Sequence, residues 1–325
     1  MRIVKVNKDS IANILSDLLK RSPTNYGDFQ DKVDAIIKNV RDNGDKAVFD
    51  YTAQFDKAEI NADNILVTEE EIKEAYEEVD DELIKVIRKA IKNIRDFHEK
   101  QIQKSWFETR EDGVMLGQKV TPMETCGVYV PGGKAVYPSS VLMNIVPAHV
   151  AGVKNIIMTT PPGKDGKVTA NTLVAAKEAG ATKVYKVGGA QAIAAMAFGT
   201  ESIPKVDKIV GPGNIFVALA KKAVYGNVSI DSIAGPSEIL VLADETANPR
   251  YVAADLLSQA EHDEMASAIL VTTSEELAHK VSDEIDGFLN QLSRKEIMEK
   301  SLDSFGYILV ASDMQTLLRL NIWRS

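Results

Sequence analysis

From about residue 114 onward, short β-rich runs alternate with alanine-rich helical ones, and no other property of the chain restricts its fold as tightly. "GVYV" (127–130) precedes "SSVLMNIVPAHVAGV", which leads to "KNIIMTT" (154–160). "ANTLVAAKEAGA" then leads to "KVYKVGG" (183–189), and "AQAIAAMAF" to "VDKIVGPG" (206–213). Strand, helix, strand at this pitch predicts βαβ units around a parallel, mostly buried sheet. After residue 236 the rhythm resumes with "EILVLAD" (238–244), a helix around Tyr251–His262, "SAILVTT" (267–273), a helix from Ser274 and "GYILVAS" (306–312).

The first hundred or so residues read as helical. Ile72, Tyr76, Val79, Leu83, Ile87, Ala90, Ile94 and Phe97 recur three and four apart and draw one apolar stripe. "DFQDKVDAIIKNVRDNGDKAVFDYTAQFD" gives two helical runs that separate at Asn43-Gly44, a helix end and restart. At 325 residues the chain is long enough for two domains. The expected division joins 1–120 with 236–325 as a first α/β domain carrying the N-terminal helices. Residues 121–235 make up the second.

The net charge is −9, so the surface repels phosphate backbones and anionic membranes; neither nucleic acid nor membrane is an expected partner. Cys126 is the only cysteine, which excludes an internal disulfide framework. "MRIVKVNKDSIANIL" lacks a sustained apolar segment, and no stretch approaches the roughly 20 apolar residues of a spanning helix. A soluble cytoplasmic protein is expected.

Glycines cluster where the strands end. "PGGKAVYPSS" (131–140), "VGGAQAIAA" (187–195) and "GPGNIFVALAKK" (211–222) each follow a β run and open a helix. Glycine admits close backbone approach, helix N-termini favour anions, and ligands of open α/β sheets sit beyond the carboxyl ends of the strands. Three such loops suggest a nucleotide cleft, although tight βα turns account for any one of them equally well. There is no G-x-G-x-x-G fingerprint and no Walker A sequence, so a dinucleotide is allowed without being demonstrated.

"DSIAGPSEILVLAD" sets Ser237 and Glu238 just before a buried strand, outside any G-x-S-x-G elbow, so serine-hydrolase chemistry is not expected. "DLLSQAEHDEMAS" puts Gln259 and His262 three apart, neighbours on one helical face. Zinc takes about four donors, and nothing nearby completes the set. Glu261, Asp263 and Glu264 read as a solvated charged turn, and on spacing alone a polar turn is the simpler reading of the pair. His149 is expected to be a packed core residue, His98 and His279 surface groups, and Cys126 a small buried hydrophobe.

Together, "VRDNGDKAV", "GVYVPGG", "GGAQAIAAMAFGTESIPKVDKIVGPGN", "DSIAGPSEILVLAD" and "DLLSQAEH" resemble histidinol dehydrogenase in order and spacing. The resemblance runs from about residue 25 to 312. It implies two Rossmann-like open twisted sheets with flanking helices, a homodimer, and zinc- and NAD-dependent oxidation of L-histidinol to L-histidine through an aldehyde. It further implies NAD contacts at Tyr129, Gln191 and Asn214, with 121–235 as the NAD-binding domain. A substrate contact is implied at Ser237, and zinc and substrate contacts at Gln259 and His262.

After "FGYILVASDMQT" the resemblance implies a further helix, a glutamate–histidine pair in a "PEHL"-type motif for the acid–base work, then an aspartate and a histidine that complete the zinc set. Here "LLRLNIWRS" follows instead, and those residues do not occur among the 325. The expectation is a C-terminally truncated form, by frameshift or incomplete gene product. It would keep the cofactor cleft and half of the metal site, hold no catalytic pair, and turn over little or not at all. The competing reading is a catalytically silent nucleotide-binding or subunit-associating fragment. A zinc hydrolase is disfavoured by the "GGAQAIAA…GPGN" block.

Overall fold

The computed structural model describes residues 1–6, 14, 27–132, 138–233 and 237–313. The centre of the "PGGKAVYPSS" loop (133–137), residues 234–236 of the "AGPSE" stretch and the "LLRLNIWRS" ending lie outside the described residues. The chain forms two compact units, one of residues 26–233 and one joining 1–25 to 234–325.

In the larger unit the five strands β4 (Thr125–Tyr129), β5 (Asn155–Thr160), β6 (Lys183–Lys186), β7 (Lys208–Val210) and β8 (Ser229–Ile230) pair in parallel in the order β6-β5-β4-β7-β8. Successive side chains point to opposite faces of a strand. Val128, Met158 and Val184 therefore enter one apolar cluster, and Tyr129, Ile157, Tyr185 and Ile209 the other. Helices cover both. The first face packs under α2 (Glu69–Glu78), α3 (Asp81–His98), α4 (Pro138–Val150) and α5 (Ala170–Ala179); the second packs under α1 (Gly27–Phe55), α6 (Gly189–Phe198) and α7 (Ile215–Val224). A two-stranded antiparallel hairpin, β2 (Trp106–Thr109) with β3 (Met115–Gln118), completes this unit.

The α/β class and parallel sheets agree with the sequence reading, and the two units meet in the sequence between residues 233 and 234. The helices of residues 27–98 belong instead to the larger unit, because their apolar faces cover both sides of its sheet. The stripe from Ile72 to Phe97 is two helices rather than one. Val79 is extended, and the Asp80 side chain accepts the Glu82 N–H to start α3. The three-and-four spacing continues across that break and conceals it. At the start of α2, Thr68 and Glu71 form a reciprocal capping box, and Glu71 also reaches the buried Lys186 ammonium at 2.5 Å.

Gly44 bends α1 with φ 54 and ψ −135, at the restart expected from Asn43-Gly44. The bend lets the Glu201 carboxylate accept the Asp45 N–H at 2.8 Å, while Asp45 accepts the Ser202 N–H and hydroxyl. The "RDNGD" and "GTES" stretches thus lock onto one another, which gives two of the family-like motifs a structural role.

The smaller unit carries β1 (Arg2–Lys5), β9 (Glu238–Ala243), β10 (Ser267–Thr272) and β11 (Gly306–Val310), all parallel in the order β1-β11-β10-β9. Helices α8 (Pro249–Ala260), α9 (Glu275–Leu289) and α10 (Lys295–Phe305) pack on one face. The leading residues, read from sequence as part of a helical region, supply the edge strand β1. Its register runs from Arg2 beside Tyr307 to Lys5 beside Val310.

Candidate functional site

The order β6-β5-β4-β7-β8 reverses direction between β4 and β7, and in open α/β sheets ligands bind outside the carboxyl ends of the strands at such a switch point. A cleft of about 1110 Å³ opens there. It is lined by Tyr129 and Pro131 at the end of β4, Thr160–Pro162 at the end of β5, Gly189–Gln191 at the start of α6, and Asn214 at the start of α7. The three residues that the resemblance implied for NAD therefore line one cleft.

Each is held differently. Tyr129 is buried, its phenol oxygen accepts the Gly189 N–H at 3.1 Å, and burial pushes its pKa up to about 12. Asn214 caps α7, its side-chain oxygen accepting from the Phe216 and Val217 N–H groups. Gln191 is 1% exposed, and both its side-chain oxygen and nitrogen are without a hydrogen-bond partner. Buried polar atoms are nearly always paired, so an orphaned amide facing a cleft points to a ligand.

The loop at Gly211 is fixed from beneath. Gly211 has φ +113, and a Cβ there would stand 2.1 Å from the Tyr129 carbonyl oxygen, so only glycine lets the two strand ends converge. Its N–H donates to Asp231 at 2.8 Å, and its carbonyl accepts from the buried Lys221 ammonium at 2.9 Å. Lys221 and Asp231 also form an ion pair, so one charged couple holds both ends of this residue.

The sequence reading missed Asp56. It follows the last residue of α1, lines the same cleft, and its Oδ2 is buried without a partner. Among the described residues, the three orphaned buried side-chain atoms all belong to Asp56 and Gln191. Burial raises the Asp56 carboxyl from 3.8 to about 6. The folded protein therefore holds this proton to about pH 6, whereas the unfolded chain releases it near pH 4. Stability falls as pH rises through that window and stays reduced above it. Asp56→Asn is expected to stabilise the ligand-free protein at pH 7–8, with the gain disappearing below about pH 4 in urea denaturation. A shift of this size is worth at most about 3 kcal/mol, and partial exposure reduces the expected gain to about 1 kcal/mol.

Ser237, Gln259 and His262 lie in the smaller unit, at the amino-terminal edge of its sheet. Ser237 is exposed just before β9, and its carbonyl accepts the Ser267 N–H at 3.0 Å. Helix α8 ends at Ala260, so Gln259 is in its last turn and His262 lies just beyond it rather than within it. The His262 N–H still donates to the Gln259 carbonyl at 3.2 Å, which keeps the two adjacent. Zinc takes about four donors, and among the described residues no group of three or more His, Cys, Asp or Glu converges as a metal site. A complete zinc centre is therefore not present among them. As expected of a charged turn, Asp263 is exposed, and Glu264 pairs with Lys300 at 2.9 Å.

His149 is exposed rather than packed in the core; its neighbours along the sequence are apolar, but its own position on α4 faces outward beside Gly180. His98 is partly buried against Gln101, and His279 is exposed. Cys126 is buried, with its thiol pushed up to about 11 mainly by burial, as suits an unreactive packing residue. Among the described residues no helix is long and apolar enough to cross a membrane.

A family model for histidinol dehydrogenase matches residues 19–321. The chain is 58% identical over 312 residues to the histidinol dehydrogenase of Bacillus subtilis, covering 96% of this chain and 72% of that protein. Against the histidinol dehydrogenase of Halalkalibacterium halodurans the identity is 54% over 316 residues, covering 97% and 72%. The crystal structure of histidinol dehydrogenase from Elizabethkingia anophelis matches with a TM-score of 0.90 at 39% identity, covering 99% of this chain and 73% of that one.

Proposed function

Because the chain belongs to the histidinol dehydrogenase family, whose members oxidise histidinol in histidine biosynthesis, we propose that its switch-point cleft binds NAD as hydride acceptor for L-histidinol. The observation that carries this reading is the pair of orphaned, buried side chains, Asp56 and Gln191, in a cleft that also collects Tyr129 and Asn214. When bound, NAD would supply the hydride acceptor for both oxidations, from alcohol to aldehyde and from aldehyde to acid. The chain's own contribution is placement. Gln191 offers an amide donor and acceptor, Tyr129 a phenol held by the Gly189 N–H, and α6 the N–H groups of Ala190 and Gln191 in its first turn for the pyrophosphate.

Ser237, Gln259 and His262 are proposed as contacts for histidinol, with Gln259 and His262 also as part of a zinc set. A cytoplasmic homodimer fits the reading. The hairpin β2–β3 exposes Trp106, Phe107 and Met115 at 54, 64 and 66%, a concentration of apolar surface suited to association.

Calorimetric titration of the 325-residue polypeptide with NAD⁺ tests the assignment. Saturable binding is expected, weakened at least about tenfold by Gln191→Ala; no saturable binding would overturn it. Two zinc donors are expected to hold the metal weakly, so histidinol oxidation by this polypeptide should be slow. A submicromolar zinc dissociation constant with turnover equal to that of the Bacillus subtilis relative would contradict that expectation.

A further inference from the structure

We infer that the Asp56 carboxylate selects the unphosphorylated dinucleotide, accepting a hydrogen bond from a ribose hydroxyl and excluding a phosphate at that position; this rests on the nucleotide reading of the cleft. Lys57 is the one non-glycine residue with positive φ among the described residues, at 59°, and it immediately follows Asp56. A left-handed lysine ends α1 at a position where glycine would be easier, and such strain concentrates at functional sites. Its ammonium is turned back to the Gln54 carbonyl at 2.7 Å, away from the Asp56 carboxylate.

Asp56 is thus an uncompensated carboxylate in the cleft wall. It is close enough to the Tyr129 phenol that its charge adds to the rise in that group's pKa, and no cation pairs with it among the described residues. An ionised carboxylate only accepts hydrogen bonds, so its ligand must present a donor. The opposite requirement holds at α6. Gly188 offers no side-chain cap there, and the first-turn N–H groups of Ala190 and Gln191 can receive an anion. A ligand with an anionic middle and a hydroxylated sugar meets both demands.

Carboxylates hold the ribose 2′-hydroxyl in other dinucleotide-binding α/β folds, where a 2′-phosphate requires a cation instead. Lys164 and Lys167 also line the cleft, but both are exposed and Lys167 is held by Glu74 at 3.0 Å. Exposed charges are screened, whereas the buried Asp56 oxygen is not, so the carboxylate decides the selectivity.

The test is calorimetric titration of wild type and Asp56→Asn, as the 325-residue polypeptide, with NAD⁺ and with NADP⁺. Wild type should bind NAD⁺ at least about tenfold more tightly than NADP⁺. Asp56→Asn should lose about 10- to 100-fold in NAD⁺ affinity, with the two dinucleotides then within about threefold of one another. Because the substitution is expected to stabilise the fold, lost affinity is separable from unfolding by urea denaturation of the same samples. If the variant keeps the wild-type preference, or loses affinity for both dinucleotides equally, the inference is overturned while the nucleotide reading stands. If wild type binds neither dinucleotide, both are overturned.

Discussion

Gly211→Ala is expected to cost the protein about 3–5 kcal/mol of stability and to abolish NAD⁺ binding. The methyl group would meet the Tyr129 carbonyl oxygen at 2.1 Å and the carbonyl carbon at 3.0 Å, both of them backbone of the neighbouring strand end. No rotamer relieves that contact. It adds to the strain of a left-handed φ of +113, and relief requires β4 and the loop after β7 to separate at the mouth of the cleft. Gly226→Ala is the matched control. Its φ is +98, but nothing lies within 4 Å of the added carbon, so only backbone strain of about 1–2 kcal/mol is expected. Urea denaturation of the two variants separates strain from collision. Equal losses would mean that the convergence of the two strand ends contributes nothing.

Lys221→Met should destabilise by about 2–4 kcal/mol, the second largest effect. The Lys221 side chain is 3% exposed, and its removal orphans the Gly211 carbonyl and leaves Asp231 without its cation. Breaking a buried pair costs about 3–5 kcal/mol; Asp231 is 32% exposed, and water softens the penalty. Adding Asp231→Asn should recover part of the loss, since the remaining neutral amide no longer needs a counter-charge. A double-mutant cycle should therefore give a coupling above about 1 kcal/mol. Strict additivity would show that the two charges act separately on Gly211.

Much of this architecture was legible because buried parallel strands and alanine-rich helices leave repeating apolar runs. The glycine clusters located the strand ends, and Tyr129, Gln191 and Asn214 do share a cleft. Asp56 was not legible. It is an ordinary acidic residue at a helix end, and its importance comes from a cleft whose walls also include Tyr129, Thr160, Gln191 and Asn214, brought in from distant parts of the sequence. Strand β1 was missed because "RIVK" is too short for periodicity to register and its pairing is decided by β11. His149 misled for the opposite reason, since apolar neighbours in sequence say little about one exposed position on a helix. The helices of residues 27–98 were assigned by position in the chain, whereas the apolar faces they cover decide where they belong.

The pairing of β1 with β11 also sets a schedule. Arg2 lies beside Tyr307, so strand β1 leaves the ribosome about 300 residues ahead of its partner. At synthesis rates of roughly 5–20 residues per second, that partner emerges on the order of 15–60 s later. The segment from 26 to 233 is translated without interruption and can collapse in the meantime. Throughout that interval the amino-terminal strand waits as an unpaired edge, the period in which a chaperone or a second nascent chain has its best opportunity to engage it.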